Sequence, residues 1–174
     1  MAKKAEARTH SFEVDQSVVY PAHGVGRITG IETQTVAGMQ LEVYVVAFDQ
    51  DKMILRVPTN RAEASGMRAL AGSKLVEDAL KTLGGKARIK RTMWSRRAQE
   101  YEAKINSGDL ISIAEVVRDL HRGDDQPEQS YSERQLYESA LDRMARELAA
   151  VENIDKGKAM EMLAKSLAKK KVAA

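Results

Sequence analysis

At 174 residues, with 28 Lys and Arg against 25 Asp and Glu and no cysteine, the chain can bury one or two hydrophobic cores and has neither thiol chemistry nor a disulfide framework. Its three histidines, His10, His23 and His121, lack metal-ligand spacing, so no metal site is expected, and no apolar run approaches the roughly 20 residues of a membrane span. The start, Met1-Ala-Lys-Lys, has no apolar run of a secretory signal, so the expectation is a cytoplasmic protein with no membrane partner. The net charge of +3 hides an asymmetry: residues 11–70 carry 5 basic and 7 acidic side chains, residues 71–174 carry 20 and 17. The two halves are built to face different partners.

Residues 1–10 are polar and basic (Lys3, Lys4, Arg8), with too little apolar surface to order themselves, and read as a disordered arm. From Phe12 to Val57 β-branched and aromatic residues alternate between closely spaced turn residues, the pattern of a strand domain. Strands are expected over 17–20, ended by Pro21; over 27–34, with a turn at Ala37-Gly38; over 41–48, whose two apolar faces make it the central strand; and over 53–57, where Met53, Leu55 and Val57 share one face and Arg56 points to the other. Pro58 has no N–H to give and ends that ladder. Gly24-x-Gly26-x-x-x-Gly30 is not a nucleotide loop, because a strand follows it rather than a helix N-terminus, and its glycines are assigned to turns and bulges.

After Asn60 the apolar period becomes helical. A short helix is expected over 61–65, ended by Gly66, and a second from Ser73 as N-cap through Leu75, Val76, Ala79, Leu80 and Leu83 to Gly84-Gly85. A third spans 94–106. Asp109 caps a fourth, with Leu110, Ile113, Val116, Val117 and Leu120 as its stripe. A fifth opens with Ser132 and Gln135 in capping-box positions and buries Leu136, Ala140, Leu141, Met144 and Leu148; a sixth, capped by Asp155, carries Met160, Leu163, Ala164 and Leu167. Helices joined by short loops make a bundle, and its methionines, Met144, Met160 and Met162, read as gap-filling core. The order of elements gives an α+β chain, an antiparallel sheet followed by an α-helical bundle.

Between the second and third helices lies the stretch with the most chemical character. Residues 86–97, Lys-Ala-Arg-Ile-Lys-Arg-Thr-Met-Trp-Ser-Arg-Arg, hold six cations (Lys86, Arg88, Lys90, Arg91, Arg96, Arg97), no acid and the only tryptophan, Trp94. The charges suit a nucleic-acid surface. Trp94 has two readings: with Ala98, Tyr101 and Ile105 it shares one helix face and is a core residue, or it is displayed among the charges as a wedge. No phosphate loop, nucleophile elbow or histidine–carboxylate constellation is present, so neither an enzyme nor a cofactor is expected.

Three segments together resemble the CarD family of bacterial transcription regulators, in its shorter CdnL-like form. They are Val18-Val19-Tyr20-Pro21-Ala22-His23-Gly24; Arg56-Val57-Pro58; and Trp94-Ser95-Arg96-Arg97 followed by Ser107-Gly108-Asp109 and Ala114-Glu115-Val116-Val117-Arg118-Asp119-Leu120. The resemblance implies a Tudor-like small β-barrel over residues 11–68 that docks on the β subunit of RNA polymerase, and a helical domain over 69–174 that contacts promoter DNA. It assigns Arg56 to the polymerase contact, places Gln34 where some relatives carry a second basic residue, and makes Trp94 the wedge at the upstream edge of melted DNA, with Arg96 and Arg97 at the phosphates. Gln99 likewise stands where some relatives are basic. The implied protein is a non-enzymatic monomer that binds DNA weakly by itself and stabilises the open promoter complex when polymerase holds it there. A free-standing architectural DNA binder is the alternative, for which the basic stretch suffices but the acidic strand domain has no use. The chain's end, Val172-Ala173-Ala174, resembles the uncharged Ala-Ala ends by which bacterial proteases recognise degradation tags.

Overall fold

The computed structural model describes residues 11–49, 51–123 and 125–168; the expected N-terminal arm and the Ala173-Ala174 terminus lie outside them. Five strands, β1 (Ser17–Tyr20), β2 (Gly24–Val36), β3 (Met39–Phe48), β4 (Met53–Pro58) and β5 (Arg68–Ala69), form one antiparallel sheet in the order β4-β3-β2-β1-β5. Strand β2 runs further than its apolar alternation suggests because Ala37 and Gly38, both at positive φ (52° and 78°), make a two-residue turn that keeps Val36 paired with Met39. The middle strand is therefore β2 rather than β3. Pairing of β1 on its far side, with β5 beyond, cannot be read from alternation alone.

The sheet's buried face carries Val18, Ile28, Tyr44, Val46, Phe48 and Val57, closed over by Phe12, Ala62 and Met67. Gly26 is needed here for space rather than for a turn, since a Cβ would lie 2.8 Å from the side chains of both Phe48 and Val46. The short helix expected over 61–65 does not form. Its backbone closes separate turns, Arg61 N–H to Pro58 O, Ser65 N–H to Arg61 O and Gly66 N–H to Glu63 O, too few in succession to offset the cost of a helical nucleus.

Five helices follow among the described residues: α1 (Ser73–Leu83), α2 (Trp94–Asn106), α3 (Leu110–Leu120), α4 (Tyr131–Glu152) and α5 (Lys156–Ala168). Helix α3, with Leu110, Ile113, Ala114, Val116, Val117 and Leu120 all buried, is the bundle's centre and packs against α1, α2 and α4. Asp109 and Asp155 cap as expected, accepting from the N–H groups of Ser112 (3.0 Å) and Lys158 (2.8 Å). Two caps differ. Ser73 is the first helical residue, behind Gly72 with no side-chain cap bond, and the capping box of α4 is Ser130 with Glu133, the same spacing two residues earlier than expected. Met144 is buried, while Met160 and Met162 lie half-buried against the same cluster.

Sheet and bundle meet at a polar seam. Arg68, in β5, donates from both terminal nitrogens to Glu147 of α4 (2.7 Å each) and from Nε and Nη2 to the Gly108 carbonyl (3.0 and 2.7 Å). Glu147 is only 3 % exposed and also accepts from the Ala71 N–H at 2.9 Å. Further along α4, Arg143 donates to the carbonyls of Pro21 (2.8 Å) and Ala22 (2.6 Å); burial, with Arg146 nearby, pulls its pKa below the usual guanidinium value. Gly108 fits the seam because a Cβ there would stand 3.0 Å from the Pro21 backbone.

Candidate nucleic-acid interface

The seam fixes the bundle on the sheet and so fixes where the basic stretch points. That stretch leaves α1 at Gly84 and enters α2 at Trp94 without regular structure, yet it is not loose. The Arg88 N–H donates to Asp119 of α3 at 2.9 Å, and Asp119, 3 % exposed, also takes the Nε–H of Arg118 at 2.9 Å. A buried carboxylate needs such donors. Held there, the stretch exposes Lys86, Arg88, Lys90 and Arg91, and Arg96 is exposed on the first turn of α2. Lys90 reaches Glu100 at 3.1 Å in a well-solvated pair, which contributes little stability and is easily exchanged for a phosphate.

Trp94 satisfies neither of its two readings in full. It packs, half-buried, against the bundle core, its ring 6.2 Å from that of buried Tyr101. The Arg97 guanidinium lies 5.4 Å from the centre of the Trp94 ring and 5.7 Å from that of Tyr101, and donates to the Tyr101 hydroxyl at 3.3 Å. Arg97 Nε is buried with no hydrogen-bond partner among the described residues. Arg97 is therefore turned inward to hold the tryptophan, and of the pair expected at the phosphates Arg96 alone is displayed. Two exposed apolar residues escaped the sequence reading: Ile89, 46 % exposed, and Met93, 78 % exposed. Met93 lies one residue outside the helical period, where amphipathic spacing gives no signal.

The second surface is the sheet edge. Among the described residues strand β4 pairs with β3 alone, so no described strand covers its other side. Arg56 stands on it half-exposed, its Nε 3.5 Å from Glu32 of β2 across the intervening strand. Two residues along each strand on the same face are Ile54, 58 % exposed, and half-buried Gln34. Among the described residues there is no group of three or more metal-ligating side chains, and no helix is long and apolar enough to cross a membrane.

Comparison with known families assigns both halves. The CarD C-terminal domain matches residues 78–164, and the CarD-like/TRCF RID domain matches residues 12–71. The chain belongs to the CarD family. A relative is YdeB of Bacillus subtilis (strain 168), a protein whose name proposes a transcription factor; it is 25 % identical over 143 residues, covering 82 % of this chain and 94 % of its own length. CarD proteins are transcription factors rather than a known class of enzyme, and the RID type of N-terminal domain, Tudor-like in fold, is one that implies interaction with RNA polymerase.

Proposed function

We propose that this CarD-family chain docks on the β subunit of RNA polymerase through the β4 edge around Arg56, with Gln34 on the same face, and stabilises the open promoter complex by setting Trp94 and its basic surround at the upstream edge of the melted DNA. The observation that carries the reading is the display of Lys86, Arg88, Lys90, Arg91 and Arg96 around a half-buried tryptophan, with no acidic residue from 79 to 99. Arginines and lysines so placed hold backbone phosphates without reading sequence, while an apolar side chain at a base step supports a junction that costs a few kcal/mol to unstack. Five or six phosphate contacts alone give weak, salt-sensitive binding. Polymerase supplies the rest by raising the local concentration of the basic surface at the promoter, and a single monomer on the cytoplasmic enzyme suffices.

The test has two parts. The full chain is mixed with RNA polymerase and recovered on an affinity resin, and the lifetime of open complexes is measured by competitor challenge with and without it. Retention on polymerase and a lengthened lifetime are expected; absence of either removes the corresponding half of the proposal.

A further inference from the structure

The packing around Trp94 raises a question that the wedge role alone does not answer. One face of the indole is taken by Arg97, and the ring leans on Tyr101 and the bundle core. Immediately before it, Met93 forms the N-cap of α2 (φ −57°, ψ 144°), makes no side-chain cap bond, and is 78 % exposed. Ile89 is exposed on the same linker.

Single exposed apolar side chains are ordinary on protein surfaces, and Met39 (73 %) and Tyr131 (79 %) are two more. Their settings differ. Tyr131 stands between Glu128 and Glu133, and Met39 is followed by Glu42, whereas Met93 lies between Arg91 and Arg96 in the acid-free stretch. An apolar tip flanked along the chain by exposed cations matches nucleic acid, whose phosphates surround the apolar faces of its bases. Methionine is also well suited to such a contact, because its unbranched, polarisable side chain adapts to an irregular, half-opened step as a rigid ring does not.

We propose that Met93 is a second inserted contact to promoter DNA, entering the unstacked junction beside Trp94 while Arg97 keeps the tryptophan in place. This rests on the open-complex function proposed above. Met93 is then the more protruding of two adjacent wedges, and Trp94 the more firmly supported.

The experiment uses the full chain, RNA polymerase and a responsive promoter carrying 2-aminopurine at the upstream junction step. Open-complex lifetime and 2-aminopurine emission are read together. Met93→Gln keeps the side chain's length and removes its apolar end. It is expected to melt with the wild type, to be retained by polymerase as well as the wild type, and to shorten the open-complex lifetime roughly three- to tenfold relative to the wild-type chain, with a diminished emission change. Met93→Leu is expected to restore most of both signals. If the wild type lengthens the lifetime and Met93→Gln matches it in lifetime and emission, the Met93 contact is overturned and the proposed function stands. If the wild type leaves the lifetime unchanged, the proposed function fails and the Met93 contact with it.

Discussion

The seam between sheet and bundle and the stretch over 86–97 use the same residue type in opposite ways. At the seam Arg68 directs its nitrogens to Glu147 and to the Gly108 and Ala69 carbonyls, and Glu147 is almost wholly buried. Across the basic stretch the cations stand mostly in solvent, and the inter-residue pair of Lys90 with Glu100 is solvated too. Half-buried and fully bonded, an arginine fixes geometry; exposed, it is left for a partner. The proposed function, with one domain on a polymerase and the other on DNA, needs both, since a charge display is useful only if its position relative to the docking edge is set.

Breaking the seam should have the largest effect on stability. Glu147→Ala takes the acceptor from the Ala71 N–H and the counter-charge from the two terminal nitrogens of Arg68, leaving the guanidinium only the Gly108 and Ala69 carbonyls, and removing one partner of a buried pair costs about 3 to 5 kcal/mol. Urea unfolding should register a loss of that size, with Glu147→Gln losing less because one carbonyl acceptor remains. A Glu147→Ala protein within about 0.5 kcal/mol of the wild type, the range of an ordinary surface change, would mean that apolar packing rather than this pair holds the halves together.

Trp94→Ala comes next and separates structure from display. A fully buried tryptophan truncated to alanine costs about 3 to 5 kcal/mol; half-buried Trp94 should lose about 2 kcal/mol, lowering the melting temperature by roughly 4 to 8 °C in a chain of this size. Loss of the ring also strands Arg97, whose Nε already has no hydrogen-bond partner among the described residues. Trp94→Phe should recover much of the stability. Calorimetry deciding for the full core cost would return Trp94 to the bundle interior, and no change at all would make it purely a displayed group.

Much of this architecture was legible because local pattern and tertiary environment agree. The bounds of β1 and α2 match the expected ones, Asp109 caps where its position before an apolar run says it should, and the stripe of α3 is its buried face. Misreadings occurred where two local solutions are equally good. Ser130 with Glu133 and Ser132 with Gln135 both satisfy a capping box, and only the packing of α4 selects the first. Residues 61–65 have helical composition but close into turns, because Ala62 and Met67 are drawn under the sheet. The candidate interface was legible as charge and not as orientation: composition cannot show that Arg97 turns inward, that Asp119 clamps the linker through the Arg88 backbone, or that Met93 is largely exposed. Those facts depend on α3 and α2 meeting at a particular angle, which involves residues distant in sequence.

Arg56→Glu should have the smallest effect on stability and a full effect on docking. Its side chain and that of Glu32 are each about half exposed, 49 % and 52 %, at 3.5 Å, and such solvated pairs contribute close to nothing after screening and side-chain entropy. The variant should melt within a degree or two of the wild type. On the surface, however, reversal replaces a cation by an anion beside Glu32 on the exposed edge strand, so an acidic partner surface that the wild type attracts is repelled. Retention on RNA polymerase is expected to fall sharply, with Trp94 and the basic stretch untouched, and added salt should narrow the gap between wild type and variant because it screens attraction and repulsion alike. Unchanged retention would move the docking surface off this edge. The tip of the β2–β3 hairpin, where Val36 and Met39 are 54 % and 73 % exposed, would then be the next place to reverse or remove side chains.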